Sequence, residues 1–489
     1  MKRGWSAIAA ITAVAVLGRL VLLREPMRFD EAVSWAYYVG RSWATIVGTY
    51  KQPNNHVFYS LLAKATAAPF GYPPWALRLP AFAAGVAIVP LTWAVGRRFA
   101  DETSALLAAA LCAGSTQLTL YSVNARGYSL VVALFLVQLL VADRLIAVHN
   151  GSLDADAAAD RAGRAHRAQW ALLGVLGAIG LYTIPVMLYP LGIVFTWIAL
   201  SALHLPSRAR TALLVHAAIT FASALVIAGV LYLPIIGTAG IDALFGNKFV
   251  AASPWNEFVG EVPHNFLGTV GRWVSPFPWW SAPIAVALAL LGVFRRAPSG
   301  RSRLAVAALL WCTLLLIATH RAPFHRVWLF LLPLFLLSVA RGALWCVHRM
   351  HAGEMRHRGA AAVTIAVLSV ALSLGRRSVQ KNDDTGAFRP AESMTAVLAP
   401  KLRPGDRVLA PIPSIGPMLY YFPRVGADTS LLTVPLERAN RAFLVLDLVA
   451  GQTLEWAVRS GMIDPVQFPQ PTLIAKYPGA ELWEVARTR

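Results

Sequence analysis

Long apolar runs alternate with short polar gaps through the first three-quarters of the 489-residue chain. Uninterrupted stretches lie near residues 5 to 23, 78 to 96, 104 to 121, 129 to 147, 211 to 232, 304 to 319, 324 to 340 and 359 to 375. Shorter or broken ones lie near 56 to 72, 169 to 185, 187 to 204 and 281 to 294. A helix needs about 20 apolar residues to cross hydrocarbon, so the pattern predicts a mainly α, polytopic transmembrane protein of about 11 to 13 helices. The opening segment, interrupted by Arg19, reads as an uncleaved first span rather than a secretory signal. After residue 375 the polar stretch RRSVQKNDDTGAFRP begins a region with no run long enough to span. There DRVLAPI, RAFLVLDL, TLIAKY and ELWEVA read as short strands and TLEWAVRSG as a helix ended by glycine. The expected domains are therefore a membrane domain over 1–375, including a first loop at 24–55 and a long loop at 238–280, and a soluble α/β domain over 376–489.

Composition agrees: 57% hydrophobic residues and 14% charged are far from a soluble domain of this length. Mean hydropathy is +0.56. The net charge of +20 does not mark a nucleic-acid binder, because the basic residues punctuate the gaps between apolar segments instead of forming one patch. Such residues collect on cytoplasmic loops, which places RRAPSGRSR (Arg295 to Arg303) and the cluster from Arg341 to Arg358 inside, with the amino terminus. If the weak segment 55 to 71 crossed, both clusters would fall outside. Read as a re-entrant or interfacial helix, it leaves eleven spans, and the carboxyl terminus, Asp30, the turn at 121 to 129, the loop 238–280 and HRAPFHR (320 to 326) share the outer face. Cys112, Cys312 and Cys346 have no metal-like spacing and read as buried small hydrophobes.

Chemistry concentrates beside these membrane ends. Asp30 and Glu31, in RFDEAVSWAYY, follow the first apolar segment closely, and carboxylates at that depth must be kept wet, paired or in use. Trp35, Tyr37, Tyr38 and Trp43 then suit a helix lying in the headgroup layer. Asn54, Asn55 and His56 follow; Arg78, Arg126 and the pair His325 and Arg326 each stand at the edge of an apolar segment. Arginine binds phosphate by forked hydrogen bonds and stays charged, so this set suits an anionic lipid headgroup. Arginines at helix ends also serve as snorkelling anchors, and Tyr128 and Trp328 as aromatic-belt residues. His320 and His325 lack a third ligand at zinc-like spacing. The loop residues Asn247, Lys248, Trp255, Glu257, Glu261, His264, Trp273, Trp279 and Trp280 fit either a cover over the site or a loop packed on headgroups.

The order of these pieces resembles the GT-C glycosyltransferases that use polyprenyl-phosphate sugars, grouped as family 39 or PMT-like: protein O-mannosyltransferases, the lipid A aminoarabinose transferase and bacterial relatives. FDEAVSW matches the acidic first-loop motif, NNHVFYSLL the H-P-P-L-Y-Y-like motif, ALRLPAFAAG the R-L-P segment, YSVNARGYSL the Y-S-x-E-A-R-x-Y motif and HRVWLFLLP the R-Y-hydrophobic-P motif. The resemblance implies an inverting transferase of the bacterial plasma (inner) membrane that moves a hexosyl or pentosyl group from a polyprenyl-phosphate donor to an extracytoplasmic glycan, lipid or protein. It implies that Asp30 is the catalytic base and Glu31 a helper or metal ligand. Arg78, Arg126 and Arg326 would stabilise the phosphate, and His56, Tyr128 and His325 would complete the donor-binding set. Asn124 stands where relatives often carry Glu, and the double proline after His56 is absent. One carboxylate pair with scattered histidines neither requires nor excludes a divalent cation. The alternative is a transporter or flippase for a charged lipid or solute, which should carry midplane charges and a repeat relating two halves; here the charges cluster at helix ends and no such repeat is found.

Overall fold

The computed structural model describes residues 2–51, 54–149, 159–246, 252–294, 302–350 and 358–487. Much of both basic clusters (295–301 and 351–357), the side chain of Arg161, and Asn247 and Lys248 lie outside the described residues. The chain divides into two compact units. One comprises Met1–Leu23, Ala44–Gly71 and Trp75–Val379, the other Arg24–Trp43, Tyr72–Pro74 and Gln380–Arg489. The segment holding Asp30 and Glu31 thus groups with the carboxyl-terminal residues, whereas the sequence pattern had placed the whole first loop with the membrane helices.

The first unit is helical and carries the membrane-spanning segments of an integral membrane protein. Among its described residues six helices are long and apolar enough to cross a bilayer: Pro74–Phe99, Tyr128–His149, Pro185–Ala202, Ser207–Ala239, His325–Arg349 and Arg358–Gly375. Gly4–Leu20, Ser281–Phe294 and Arg303–Thr319 are shorter apolar helices. Glu102–Gly114 and Thr116–Ser122 form a further span if taken together, bent by 60° at their junction. Asp101 starts that pair, its carboxylate accepting from Thr103 N and Ser104 N at 3.0 Å, the usual role of an N-cap acid. Ser115 then leaves the helical region (ψ 124°) and caps the second piece by accepting from Leu118 N. Val57–Ala67 has 11 residues; at 1.5 Å per residue it is about half a bilayer long, in keeping with a helix that does not cross.

The described part of 238–280, expected as a long loop, contains the 19-residue helix Trp255–Trp273. Pro263 and three glycines at 260, 268 and 271 obscured it in the sequence. Trp255, Val259, Phe266 and Leu267 are exposed.

The second unit is a small α/β domain. Its sheet has the order β1-β2-β4-β3, with β1 (Arg407–Leu409) parallel to β2 (Arg441–Asp447) and β4 (Ala480–Ala486) antiparallel to both β2 and β3 (Thr472–Tyr477). Gly479, at φ +78°, turns β3 into β4. Ala442, Leu444 and Leu446 of β2 pack with Ala457, Ile463 and Phe468 in one core cluster, and the intervening Phe443 and Val445 are buried as well, so this central strand is covered on both faces. Arg441 braces the sheet edge through Asp406 at 2.7 Å and Glu484 at 3.1 Å.

Candidate functional site

The predicted site residues fall in both units, and each set is built by its own surroundings. In the first unit the set centres on His56. This residue caps Val57–Ala67, with Ser60 N donating to its carbonyl at 2.7 Å. The preceding turn is held by Asn55, whose amide donates to Ile46 O and Thr49 O at 2.9 Å and accepts from Ser60 Oγ at 3.1 Å. Pinned in this way, the imidazole is buried at 3% exposure.

The turn after Thr116–Ser122 brings the second element. Gly127 N donates to His56 Nδ1 at 2.9 Å, and Arg126 Nη2 stands 2.9 Å from His56 Nε2. Gly127 has to be glycine: a Cβ there would stand 2.5 Å from Thr183 Cγ2 and 3.4 Å from His56 Nδ1. The Tyr128 ring meets His56 edge-on at 5.2 Å and Tyr121 at 5.0 Å, with the Arg126 guanidinium 5.9 Å from its centre. Tyr128 is therefore an interior residue and not one of the expected belt aromatics.

His56 stands in a buried, positively charged environment. Burial, then Arg126, then Arg326 hold the His56 imidazole well below its ordinary pKa, so it stays neutral. Arg326 thus acts on the same ring; its guanidinium lies 5.3 Å from the Phe324 ring. A neutral imidazole carries one N–H. Whichever nitrogen holds it faces another donor, Gly127 N or Arg126 Nη2. Asn124, fully buried, has neither amide atom hydrogen-bonded among the described residues, and the Ser129 hydroxyl is in the same condition. Buried polar atoms of this kind call for a water or a ligand. Tyr50 also belongs here: burial pushes its phenol up to about 12, while Arg126 pulls it down. It went unnoticed in the sequence; its one signal was an aromatic residue just before the Asn54–His56 turn.

Arg78 and Arg126 are 1% and 2% exposed, so neither is a snorkelling anchor. Arg78 Nη1 donates to Leu23 O at 2.8 Å, at the end of the first helix, and Tyr59 Oη donates to Leu77 O at 2.9 Å beside it. His325 and Arg326 are half-buried at the start of the turn leading into Leu332–Met350. Trp328 packs on Tyr189 at 5.2 Å.

In the second unit Asp30 and Glu31 lie on the short helix Phe29–Ser34. Phe29 N donates to Gly386 O at 2.8 Å and Asp30 N to Thr385 O at 3.2 Å, while Arg28 Nη1 donates to Asn382 O at 2.7 Å. Gly416 lets the helix Ile415–Tyr421 close on this segment, since a Cβ there would stand 2.9 Å from Phe29 Cα. The carboxylates are 8% and 1% exposed. Glu31 Oε1 accepts from Arg28 N at 3.0 Å, capping its own helix. Trp35 packs edge-on against Tyr420 at 5.0 Å with Arg424 over both rings, and Tyr38 is fully buried. These two aromatics are thus spent on protein packing and not on the headgroup layer expected for them; Tyr37 and Trp43 are exposed.

Among the described residues no three His, Cys, Asp or Glu side chains come together as a metal site. Asn124 stands at the Glu position of the motif, and one carboxylate oxygen of Glu31 is engaged in the helix cap.

No family model and no curated protein sequence matches the chain. Solved structures do. ArnT from Cupriavidus metallidurans bound to undecaprenyl phosphate superposes with a TM-score of 0.55 at 14% identity, covering 99% of this chain and 98% of that one. The archaeal oligosaccharyltransferase AglB from Archaeoglobus fulgidus, in complex with an inhibitory peptide and a dolichol-phosphate, gives 0.50 at 12% identity over 99% of this chain and 74% of that one. The fold is that of these GT-C membrane proteins.

Proposed function

We propose, on the premise of this GT-C fold, that the protein transfers a sugar from a polyprenyl-phosphate donor to an acceptor on the extracytoplasmic side of the bacterial plasma membrane. The single observation that carries the reading is the donor set around His56: the Arg126 guanidinium, the Gly127 N–H and a neutral imidazole converge there, in one buried turn with the Asn124 amide. A phosphate oxygen accepts from a guanidinium and an imidazole N–H at once. ArnT and AglB, which share the fold, were solved with polyprenyl-type phosphates bound.

In the reaction the acceptor's hydroxyl or amine attacks the anomeric carbon as its bond to the phosphate oxygen breaks. The bonding pair leaves with the lipid phosphate, and the acceptor's proton passes to Asp30. Phosphate is a tolerable leaving group, so the protein's work is orientation, proton acceptance and charge stabilisation. Arg126 and Arg326 receive the growing charge on the departing oxygen. Arg78 is the third cation of the set, Tyr128 and His325 border the donor, and Glu31 holds the helix that presents Asp30. No step is routed through a metal.

The test is binding of undecaprenyl phosphate to purified protein in nanodiscs, with undecaprenol as the control lacking phosphate. Saturable binding of the phosphate alone, lost in Arg126→Ala, is expected. Equal binding of both lipids would overturn the reading.

A further inference from the structure

Arg19 is a fully buried cation in an apolar helix, and nothing above uses it. Its guanidinium donates to three carbonyls, Ala15 O at 3.2 Å, Ala113 O at 3.1 Å and Cys112 O at 3.4 Å, and its Nε to Ser122 Oγ at 3.2 Å. Cys112 and Ala113 close the helix Glu102–Gly114, whose last carbonyls have no helical partner once Ser115 turns away. Such a helix end carries partial negative charge, which suits a cation that has carbonyls as its partners. Ser122 ends the next piece, Thr116–Ser122. One side chain therefore ties the end of Glu102–Gly114 to the last residue of the short helix that follows the 60° bend. The cavity left beside it, about 10 Å³, holds at most one water.

What Arg19 fixes leads directly into the His56 site. The Ser122 hydroxyl donates to Leu118 O, which leaves its oxygen to accept from Arg19. Four residues later comes Arg126. On its other side Ser122 meets Gly85, where any Cβ would overlap its hydroxyl; Gly85 lies on Pro74–Phe99, the helix that carries Arg78. The first helix, the Arg78 helix and the Arg126 turn thus converge on one serine. Simple anchoring of the first helix would need only the carbonyl contacts; the Nε bond to Ser122 is the additional link to the turn.

We infer that Arg19 is a positioning residue, which through Ser122 sets the Asn124–Gly127 turn at the height where Arg126 and Gly127 reach His56. This rests on the donor-phosphate reading only for its consequence, and the geometry is testable without it. Hydrogen exchange over residues 121–130 is compared in wild type, Ser122→Ala and Arg19→Met, with strands 407–486 as the folding control. Ser122→Ala keeps the carbonyl contacts of Arg19 and removes the link together with the bond within its own helix to Leu118 O, so it serves if Arg19→Met fails to fold. Exchange in 121–130 should quicken about tenfold in Ser122→Ala with the control unchanged. Undecaprenyl phosphate should bind about tenfold more weakly, since a small misplacement of a binding group is costly. A further loss on adding Ser122→Ala to Arg126→Ala should be absent. Wild-type exchange in Ser122→Ala would overturn the inference, as would quickened exchange with unchanged lipid affinity. Failure of the wild type to bind the lipid would overturn the proposed function instead, leaving the exchange result to judge Arg19.

Discussion

Arg126 Nη2 stands 2.9 Å from His56 Nε2, while the other ring nitrogen receives Gly127 N. Two donors point at one neutral imidazole, an arrangement that an anionic oxygen completes by accepting from the guanidinium and from the ring N–H. On the proposed reading, Arg126 is the residue that meets the lipid phosphate.

Arg126→Ala should weaken undecaprenyl phosphate binding at least tenfold, about 1.4 kcal/mol. Arg126→Lys should recover only part of it, because an ammonium cannot fork across two oxygens. Titration of the lipid into nanodisc-embedded protein measures both; full affinity in the lysine variant would argue for charge alone.

The depressed pKa of His56 makes a stability prediction. The folded state keeps the ring neutral, whereas the unfolded chain takes up a proton near the ordinary value of 6.5. Below that value the unfolded state binds more protons, so His56 costs stability increasingly as pH falls through 6.5 toward its folded pKa, and costs none above. Thermal unfolding in detergent between about pH 7.5 and 5.5 should drop less in His56→Gln than in wild type. Equal drops would show that the ring titrates freely.

Gly386 and Gly416 admit Phe29 and so hold the acidic helix. Gly386 sits at φ +67° with a built Cβ 2.6 Å from Phe29 Cβ, and Gly416 would place one 2.9 Å from Phe29 Cα. Alanine at either should destabilise the second unit by about 1–3 kcal/mol. Proteolysis of the 24–43 segment should rise in step. Resistance equal to wild type would mean that the segment is held by other contacts.

Asp30 and Glu31 are neighbours with separable roles. Glu31→Gln keeps an oxygen that accepts from Arg28 N and should retain most transfer activity, while Glu31→Ala loses the cap and about 1 kcal/mol of stability. Asp30→Asn removes the base without changing shape. An equal collapse of activity in Glu31→Gln and Asp30→Asn would assign Glu31 to the chemistry.

Much of this was legible in the residues, for identifiable reasons. Apolar runs marked the helices because hydrocarbon demands both length and composition, and short apolar runs such as RAFLVLD, with the turn signal at Gly479, marked the sheet. Arg78, Arg126, His56 and the acidic pair drew attention as candidates because polar groups beside apolar segments are costly without a use. The rest depends on contacts between distant residues. Nothing local shows that Trp35 and Tyr38 pack within the second unit, that Glu31 caps its own helix, or that Tyr50 feels Arg126. The helix Trp255–Trp273 was hidden by Pro263 and its glycines. Arg19 was visible as an interruption of an apolar run, but its partners lie about a hundred residues away.

Sugar transfer itself gives the most direct measurement. Membranes carrying wild type or Asp30→Asn at matched expression are supplied with a panel of radiolabelled polyprenyl-phosphate sugars, and label reaching endogenous acceptors is counted. Transfer from at least one donor by wild type, abolished in Asp30→Asn while undecaprenyl phosphate still binds, is the predicted result. Undiminished transfer by the variant would contradict Asp30 as the base, and no transfer from any donor by folded wild type would contradict a glycosyltransferase.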